Sequence, residues 1–423
     1  MKLPQGSLLV LALVASVSAT AAASLPTPDA DNGAITLPDG FGAVVVADDL
    51  GPLRFIAVRD NGDVYAKTRR EGIIALRDTD GDGKADQRAV FGEGGGTGIA
   101  IRDGWLFHST DSEIFRYRLE PGALAPTRGP ERVVTGLPDR RQHAAKAFAF
   151  GGDGMLYAEI GSPSNALGIP DRQRGATGSS PEQIAEFLAE FGGFWRFDPN
   201  GRDQTPSKDN HFSTGHRHVL SVAWNPVAEA LFIVQHGRDQ LNSIAPDFYS
   251  AKDNAELPAE EMHILREGAN YGWPTTYWDP IRKARMLAPE YGGDKTKRAP
   301  EAGFPDPLVA FPAHWAPMQM AFNTGSQFPE KYRNGAFVAF HGSWNRAPEP
   351  QRGYQVAFAP VGADGMPTGA YETFADGFAG AEEIANPRDA RFRPCGLAFG
   401  PDGSLYVADS QKGRVWRIFH LGR

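Results

Sequence analysis

The chain has little cysteine, no excess of positive charge and no long apolar run beyond its first residues. Its single cysteine, Cys395, excludes an internal disulfide framework and any cysteine-rich zinc or iron–sulfur site. The formal net charge of −8 gives a field that repels nucleic acid and anionic membrane surfaces. No later stretch is apolar for long enough to cross a bilayer as a helix. The sequence therefore predicts no nucleic-acid partner and no transmembrane anchor.

The composition also argues against a disordered or helical chain. Hydrophobic residues make up 41% of the chain and charged residues 22%. The chain is therefore too apolar to be disordered and too poor in charge to be a coiled coil. The 49 glycines and 33 prolines are many for a helical protein, because both residues break helix interiors and form turns. No G-x-G-x-x-G signature follows a strand and opens a helix, which argues against a nicotinamide cofactor.

The N-terminus has the pattern of an export signal. Lys2 precedes an apolar run over residues 8–17, and small residues with an A-x-A pattern follow over residues 18–23. A basic start, a short apolar segment and such a cleavage pattern are typical of a secretory signal peptide. We therefore predict a signal peptide over residues 1–23 and a periplasmic or secreted mature protein over residues 24–423.

The most informative pattern is an internal repeat of apolar runs. An apolar–Ala–apolar triplet recurs six times, with its alanine at Ala57, Ala100, Ala149, Ala223, Ala321 and Ala398. A second and a third apolar run follow each triplet, and turn pairs such as Asn61-Gly62 are typical of tight hairpins. Six such units, each more than 40 residues long, predict an all-β fold, a six-bladed β-propeller of four-stranded antiparallel blades. A β-sandwich is the alternative fold.

Two further segments complete the fold prediction. The chain ends on a strong third strand, so a strand at Phe41–Ala47 is predicted to complete the last blade and close the ring. Residues 180–191 have one apolar face, and Ser180 and Gln183 fit a capping box, which predicts a surface helix. We expect one propeller domain over residues 24–423.

Polar residues cluster where the first strands begin and the second strands end. These two positions share one face of a propeller around its axis, and function commonly resides in loops on such a scaffold. The clusters are Gln142-His143, Arg217-His218, His236-Gly237-Arg238-Asp239, residues 341–346 and Arg391-Phe392-Arg393. Arginine and histidine gathered on one face of an acidic protein favour a small ligand with carboxylates or phosphates. Taken singly, each of these residues also fits a structural or solvent-exposed role.

At these positions the chain resembles the soluble quinoprotein sugar dehydrogenases of the glucose/sorbosone dehydrogenase family, which use pyrroloquinoline quinone (PQQ). The similarity extends from Gly40-Phe41 to the C-terminus. It is carried by His143-x-x-Lys146, Thr214-Gly215-His216-Arg217-His218, His236-Gly237-Arg238-Asp239, Asn270-Tyr271-Gly272-Trp273-Pro274, His341-Gly342-Ser343-Trp344-Asn345-Arg346 and Arg393-Pro394-Cys395-Gly396. The last two motifs look most like the sorbosone-dehydrogenase branch.

The resemblance implies an oxidoreductase that oxidises an aldose, a sugar alcohol or a sorbosone-like sugar aldehyde by hydride transfer to PQQ. It implies that His143 is the catalytic base, a role that suits the pKa of an imidazole. Cofactor contacts are implied for Arg217, His218, Arg238, Trp344, Arg346, Arg391 and Arg393. The backbone carbonyls of Gly237 and Arg238 are implied to bind calcium (Ca2+), which prefers oxygen ligands. A quinone or an electron-carrier protein is expected to accept the electrons.

The chain departs from the family pattern at a few of these positions. His218 stands where the sugar dehydrogenases commonly have Asn, and Arg238 replaces a proline of the glucose-oxidising branch. A family lysine that contacts PQQ has no clear counterpart, and Arg346 or Lys412 is the candidate substitute.

Two other functions fit a six-bladed propeller. A metal-dependent hydrolase such as a lactonase needs several carboxylate or Asn ligands on the same face, where this chain offers mainly His and Arg. A non-catalytic propeller that binds carbohydrate or a protein partner is the second alternative, because fold alone does not define function.

A second metal candidate lies away from this face. Asp78, Asp80, Asp82 and Asp86 alternate like the start of a calcium-binding loop. Ala89 occupies the twelfth position, where such a loop has Glu, and no flanking helices are predicted. An acidic hairpin turn is therefore the favoured interpretation.

Overall fold

Six four-stranded antiparallel sheets follow one another along the chain, one for each repeat. The computed structural model describes residues 25–300 and 303–422, so the predicted signal peptide over residues 1–23 lies outside the described residues. Five of these sheets take their four strands in chain order from one continuous stretch of sequence, and the last combines strands from both ends of the described chain. The six-bladed propeller predicted from the repeats is confirmed.

The blades are numbered here in chain order, and each is given from its first strand outwards. Their strands are Leu53–Val58, Val64–Thr68, Ile73–Arg77 and Gln87–Phe91 in blade 1; Ile99–Arg102, Trp105–Ser109, Ile114–Arg118 and Glu131–Val134 in blade 2; Phe148–Phe150, Leu156–Ile160, Gly193–Phe197 and His211–Thr214 in blade 3; Val219–Asn225, Ala230–Gln235, Glu260–Ile264 and Val309–Phe311 in blade 4; Pro317–Phe322, Ala336–Phe340, Gln355–Ala359 and Glu372–Ala375 in blade 5; and Pro394–Phe399, Leu405–Asp409, Val415–His420 and Phe41–Ala47 in blade 6.

The first strands of neighbouring blades pack against one another around the axis. The repeated alanine lies in this first strand in every blade, where a small side chain lets neighbouring strands approach closely. Phe41–Ala47 pairs antiparallel with Val415–His420 and places Val44 opposite Arg417. The predicted closure of the ring by the N-terminal strand is therefore confirmed.

The insertions form small elements of their own. The two additional hairpins are Gly168–Ile169 with Thr177–Gly178, and Thr276–Asp279 with Ala284–Leu287. The helices are Pro181–Leu188, Leu241–Ile244 and Ala251–Glu256, and the 3₁₀ turns are Lys208–Asn210, Pro289–Tyr291, Glu330–Tyr332 and Pro387–Asp389. Among the described helices, none is long and apolar enough to cross a membrane.

The predicted surface helix is present, although it is shorter than predicted. The Ser180 hydroxyl accepts the Gln183 amide at 3.3 Å, and the Gln183 side chain accepts the Ser180 amide at 2.9 Å. This reciprocal capping box fixes where the helix begins. The helix ends at Leu188, before the predicted limit of residue 191.

The acidic segment over residues 78–86 is a turn between the third and fourth strands of blade 1. Carboxylate oxygens of Asp78, Asp80 and Asp86 lie within 4.8 Å of one another. Asp78 accepts the amides of Gly81 and Gly83, so the carboxylates order the turn itself. This agrees with an acidic hairpin turn.

Candidate active site

Several residues from the predicted polar clusters meet on one face of the propeller around its axis. Their residues come from segments that enter a first strand, as in blades 3, 4 and 6, or leave a second strand, as in blades 4 and 5. We call this group of residues the funnel. Its described residues treated below are Arg54, His143, Arg217, His218, His236, Gly237, Asp239, His341 and Arg393.

Three imidazole rings lie side by side in the funnel. The rings of His143 and His218 stack with centroids 4.4 Å apart and planes 16° apart. His236 follows, with its centroid 5.1 Å from that of His218. The structure therefore brings together the predicted base and a predicted cofactor contact from neighbouring blades.

His143 has the geometry of a general base. Its Nδ1 lies 2.5 Å from the carbonyl oxygen of Ser162, so Nδ1 carries the proton and donates it. The Nε2 lone pair is left available for a proton. Burial, and then the neighbouring His218 and Arg217, hold the pKa of His143 well below its ordinary value, so the free imidazole is neutral. Its backbone is left-handed, with φ of 56°, a conformation that non-glycine residues rarely adopt.

His218 is held by a buried carboxylate that the sequence analysis did not single out. The Nδ1 of His218 lies 2.9 Å from Oε1 of Glu159, and the same oxygen accepts the Val219 amide at 3.1 Å. A Cβ atom on Gly161 would lie 2.7 Å from Oε1 of Glu159 and 2.8 Å from Nδ1 of His218. Only glycine therefore leaves room for this contact.

Arg217 is paired with Asp239 at the edge of the funnel. Its Nη2 donates to Asp239 Oδ2 at 2.5 Å, and its Nη1 donates to the carbonyl oxygen of Gly237 at 3.0 Å. Asn345 also donates to Asp239, at 2.5 Å. Burial raises the pKa of Asp239, but Arg217, His314 and Arg172 together outweigh this effect, and the net pKa is below the ordinary value. Arg217 therefore faces an ionised carboxylate.

Arg238 and Arg346 have carboxylate partners that lie far away in the sequence. Arg238 forms a buried ion pair with Glu290, and both side chains are only 2% exposed. Arg346 donates to Glu256 Oε1 at 2.8 Å and to the carbonyl oxygen of Ala255. The structure therefore does not bring these guanidinium groups to the funnel as free cations.

Trp344 and Arg391 lie on the surface. Trp344 is 56% exposed. Arg391 is exposed as well, and its guanidinium lies 5.3 Å from the ring centroid of Phe392, which is buried.

Arg393 is held against His341 by neutral acceptors. Its side chain donates to the carbonyl oxygens of His341 and Gly342 at 3.0 and 2.6 Å, and its Nη2 lies 2.8 Å from His341 Nδ1. Because an arginine can only donate, Nδ1 accepts and the proton of His341 resides on Nε2, 2.5 Å from Ser410 Oγ. Burial lowers the pKa of Arg393. His341 follows the second strand of blade 5 and Arg393 precedes the first strand of blade 6, so their contact joins the two blades within the funnel.

Arg54 is a funnel residue that the sequence analysis missed. Its Nε donates to Thr97 Oγ1 at 3.1 Å. Burial is the main reason why the pKa values of His218 and His341 are low, and the positive charge of Arg54 adds to this effect. The available signal was a charged residue near the start of the otherwise apolar first strand Leu53–Val58.

The protein is therefore a six-bladed propeller in which histidine and arginine side chains gather around the axis. The chain belongs to the TrAA12-like family, whose model matches residues 35–420.

Individual relatives agree with this assignment. A PQQ-dependent sugar dehydrogenase of Hypocrea jecorina is 26% identical over 222 residues, which cover 48% of this chain and 46% of that protein. The chain spans about half the length of the curated relatives it matches first. The iodide structure of the Trichoderma reesei enzyme of Carbohydrate-Active Enzymes family AA12 has a TM-score of 0.74 at 18% identity, covering 92% of this chain and 98% of that one. The holo pyranose dehydrogenase PQQ domain of Coprinopsis cinerea has a TM-score of 0.72 at 19% identity, covering 94% and 98%.

Proposed function

We propose that this protein is a quinoprotein oxidoreductase that oxidises a sugar at a CH–OH group with PQQ. The observation that carries the proposal is the state of His143. Its Nδ1–H is bound to a backbone carbonyl, and its Nε2 lone pair is free in a site that also contains Arg217. The names of the curated relatives support the same chemistry.

The funnel fits a tricarboxylate. Arg393 donates only to neutral groups, so its positive charge is available to a carboxylate. Arg217 is ion-paired with Asp239 and belongs to the same funnel, so it can orient a bound anion. We propose Arg217, His218 and Arg393 as cofactor-binding residues, with Arg391 and Trp344 as exposed candidates. Arg238 and Arg346 contribute by holding their loops, because each is paired with a glutamate.

The protein supplies a base and an oriented site, and the cofactor supplies the redox chemistry. When bound, PQQ provides an electrophilic quinone that accepts a hydride from the sugar carbon. His143 Nε2 accepts the hydroxyl proton of that carbon, and Ser162 stabilises the resulting imidazolium through Nδ1–H. The substrate loses one hydride and one proton, so an aldose yields a lactone.

We propose calcium at the carbonyl oxygens of Gly237 and Arg238. The donor type fits, because calcium prefers hard oxygen ligands. Arg217 already donates to the Gly237 carbonyl at 3.0 Å, so a cation there must share that oxygen with a guanidinium. Chelation of calcium is therefore expected to reduce cofactor affinity, and readdition of calcium to restore it, in equilibrium titrations of the apo-protein with PQQ.

Substrate and location follow as parts of the same proposal. A small aldose, sugar alcohol or sorbosone-like aldehyde is the proposed substrate, and a quinone or electron-carrier protein is the proposed acceptor. The predicted signal over residues 1–23 supports a periplasmic or secreted enzyme.

Steady-state assays test the proposal. Apo-protein is given PQQ and calcium, and sugar-dependent dye reduction is measured beside lactone hydrolysis. We expect dye reduction that requires PQQ and that falls by about 10²- to 10⁴-fold in His143→Gln, because a positioned base contributes that much. Lactone hydrolysis without PQQ would instead favour a hydrolase, and saturable sugar binding without turnover a binding protein.

A further inference from the structure

A cavity opens among the loops of blade 5 and the segment that leads from it to blade 6. Its volume is about 630 Å³, which lies within the range of about 300–1,000 Å³ that is common for ligand sites. We call this cavity the side pocket. Its lining residues used below are Trp315, Arg352, Tyr354, Asp376, Glu382 and Glu383. None of the funnel residues defined above is among the described residues that line it.

One segment of blade 5 separates the side pocket from the funnel. His341 belongs to the funnel, and the next residue, Gly342, lies so close to Tyr354 that a Cβ atom on Gly342 would clash with the Tyr354 ring. The Gly342 amide donates to the carbonyl oxygen of Trp315 at 2.8 Å. From the funnel side, the guanidinium of Arg393 lies 6.0 Å from the ring centroid of Tyr354. A ligand in the side pocket would therefore lie next to the funnel but contact different residues.

The aromatic residues of the side pocket carry hydrogen-bond donors that the protein leaves unused. Among the described residues, the Tyr354 hydroxyl and the Trp315 Nε1–H have no hydrogen-bond partner, although Tyr354 is only 3% exposed. Trp315 is fixed by packing against Phe340 and Tyr371, whose ring centroids lie 5.2 and 5.9 Å from its own. A buried donor without an acceptor costs about 1–3 kcal/mol, so a ligand that accepts from these groups gains affinity.

The polar residues of the side pocket mainly offer acceptors. Asp376, Glu382 and Glu383 are exposed carboxylates, and Arg352 is the only cation among the described residues that line the pocket. Three carboxylates repel an anionic ligand. A cationic ligand suits the carboxylates but cannot accept a hydrogen bond from the indole N–H of Trp315. A hydroxyl group both donates and accepts, so a ligand with several hydroxyl groups suits the carboxylates and the aromatic donors together.

We propose that the side pocket binds a neutral carbohydrate, on residues separate from the funnel. Hydroxyl groups of the sugar donate to Glu382 and Glu383 and accept from Tyr354 and Trp315, and the aromatic rings cover its apolar C–H face. The inference goes beyond the proposed function, because binding in the side pocket requires neither PQQ nor His143.

Isothermal titration calorimetry of the apo-protein with methyl glucoside and with cellobiose tests this site. We expect saturable binding of at least one of the two sugars. Tyr354→Phe should weaken this binding by about 2- to 10-fold, as for one lost neutral hydrogen bond, without lowering the Tm of the apo-protein. The double change Glu382→Gln and Glu383→Gln should weaken it by about 10-fold or more, because hydrogen bonds to charged groups are stronger. His143→Gln should bind the sugar like the parent protein.

Matched controls change the same chemical groups outside the side pocket. Tyr117→Phe removes a hydroxyl from the third strand of blade 2, and Glu186→Gln with Glu190→Gln removes two exposed carboxylates. Both controls should bind the sugar like the parent protein, and neither putrescine, a dication, nor glucuronate, an anion, should bind to the pocket.

The proposal is wrong if neither sugar binds to the apo-protein, if Tyr354→Phe binds like the parent protein, or if putrescine or glucuronate binds more tightly than methyl glucoside. Sugar binding that is lost in His143→Gln would place the sugar in the funnel and would also overturn the proposal. If the apo-protein binds sugar as expected but the PQQ-loaded protein oxidises none, the proposed function fails while the side pocket stands.

Discussion

At the scale of single residues, the partner of each polar group determines what it can do. His143 and His341 are both neutral histidines of the funnel, but they differ in which nitrogen carries the proton. Ser162 fixes the proton of His143 on Nδ1, whereas Arg393 fixes that of His341 on Nε2. Of these two residues, His143 is the one that leaves its lone pair on Nε2, which supports the proposal that it is the base.

The ion pair between Arg238 and Glu290 gives a prediction at this scale. Glu290→Gln leaves the guanidinium of Arg238 buried without a counter-charge, and we expect a loss of about 3–5 kcal/mol in the free energy of unfolding. Urea-induced unfolding followed by fluorescence measures this loss. Glu372→Gln is the control, because Glu372 is 41% exposed beside Lys331 at 2.8 Å, and it should cost at most about 1 kcal/mol. Equal effects of the two substitutions would contradict the assignment.

At the scale of elements, the repeat predicts the inner strands better than the outer ones. Every first strand contains the triplet with alanine, because packing around the axis demands a small side chain there. The fourth strands lie at the outer edge and differ from one another in burial. Gln87–Phe91 has no fully buried residue, whereas Phe41–Ala47 is mostly buried. Long-range pairings are equally invisible in the sequence, since Arg238 and Arg346 find their partners 52 and 90 positions away. Histidine positions relative to the repeat predicted that His143 and His218 lie on one face around the axis. They did not predict that the two rings stack, nor the roles of Glu159 and Arg54.

The strand that closes the ring is predicted to be essential for stability. Val44 in the closing strand is fully buried, whereas Val90 in the outer strand of blade 1 is 49% exposed. We expect Val44→Asp to lower the Tm strongly or to prevent folding, because it places an unpaired charge in the core. Val90→Asp, the same change in an equivalent outer strand, should shift the Tm little. Calorimetry measures the Tm of both variants. Similar Tm values for the two would argue against closure of the ring by this strand.

At the scale of the whole molecule, the charges are divided between surface and interior. The chain has a net charge of −8, but the funnel collects cations, and further cations are buried elsewhere. Lys67, fully buried in blade 1, donates to the carbonyl oxygen of Glu93 and contacts His108 Nδ1 at 3.3 Å. Burial lowers the pKa of Lys67 from 10.5 to about 8.

Lys67 predicts how stability changes at alkaline pH. Between pH 8 and 10.5 the unfolded chain holds a proton that the folded chain has lost. The contribution of Lys67 to the free energy of unfolding therefore rises by about 3 kcal/mol as the pH increases across this window. Below pH 8 Lys67 is charged in both states, and its full destabilising effect remains. Urea unfolding of the parent protein and of Lys67→Met at a series of pH values isolates the effect, since other groups cancel in the difference. A difference that does not change with pH would show that Lys67 keeps its ordinary pKa.

Reduction of the cofactor in a single turnover tests the central claim most directly. Protein loaded with PQQ and calcium is mixed with excess sugar in a stopped-flow spectrometer without an electron acceptor, and the absorbance of bound PQQ is followed. We predict complete conversion to the reduced spectrum in the parent protein, and equal PQQ binding but much slower reduction in His143→Gln. Sugars that leave the spectrum of bound PQQ unchanged, or equal reduction rates in the two proteins, would contradict a quinoprotein that uses His143 as its base.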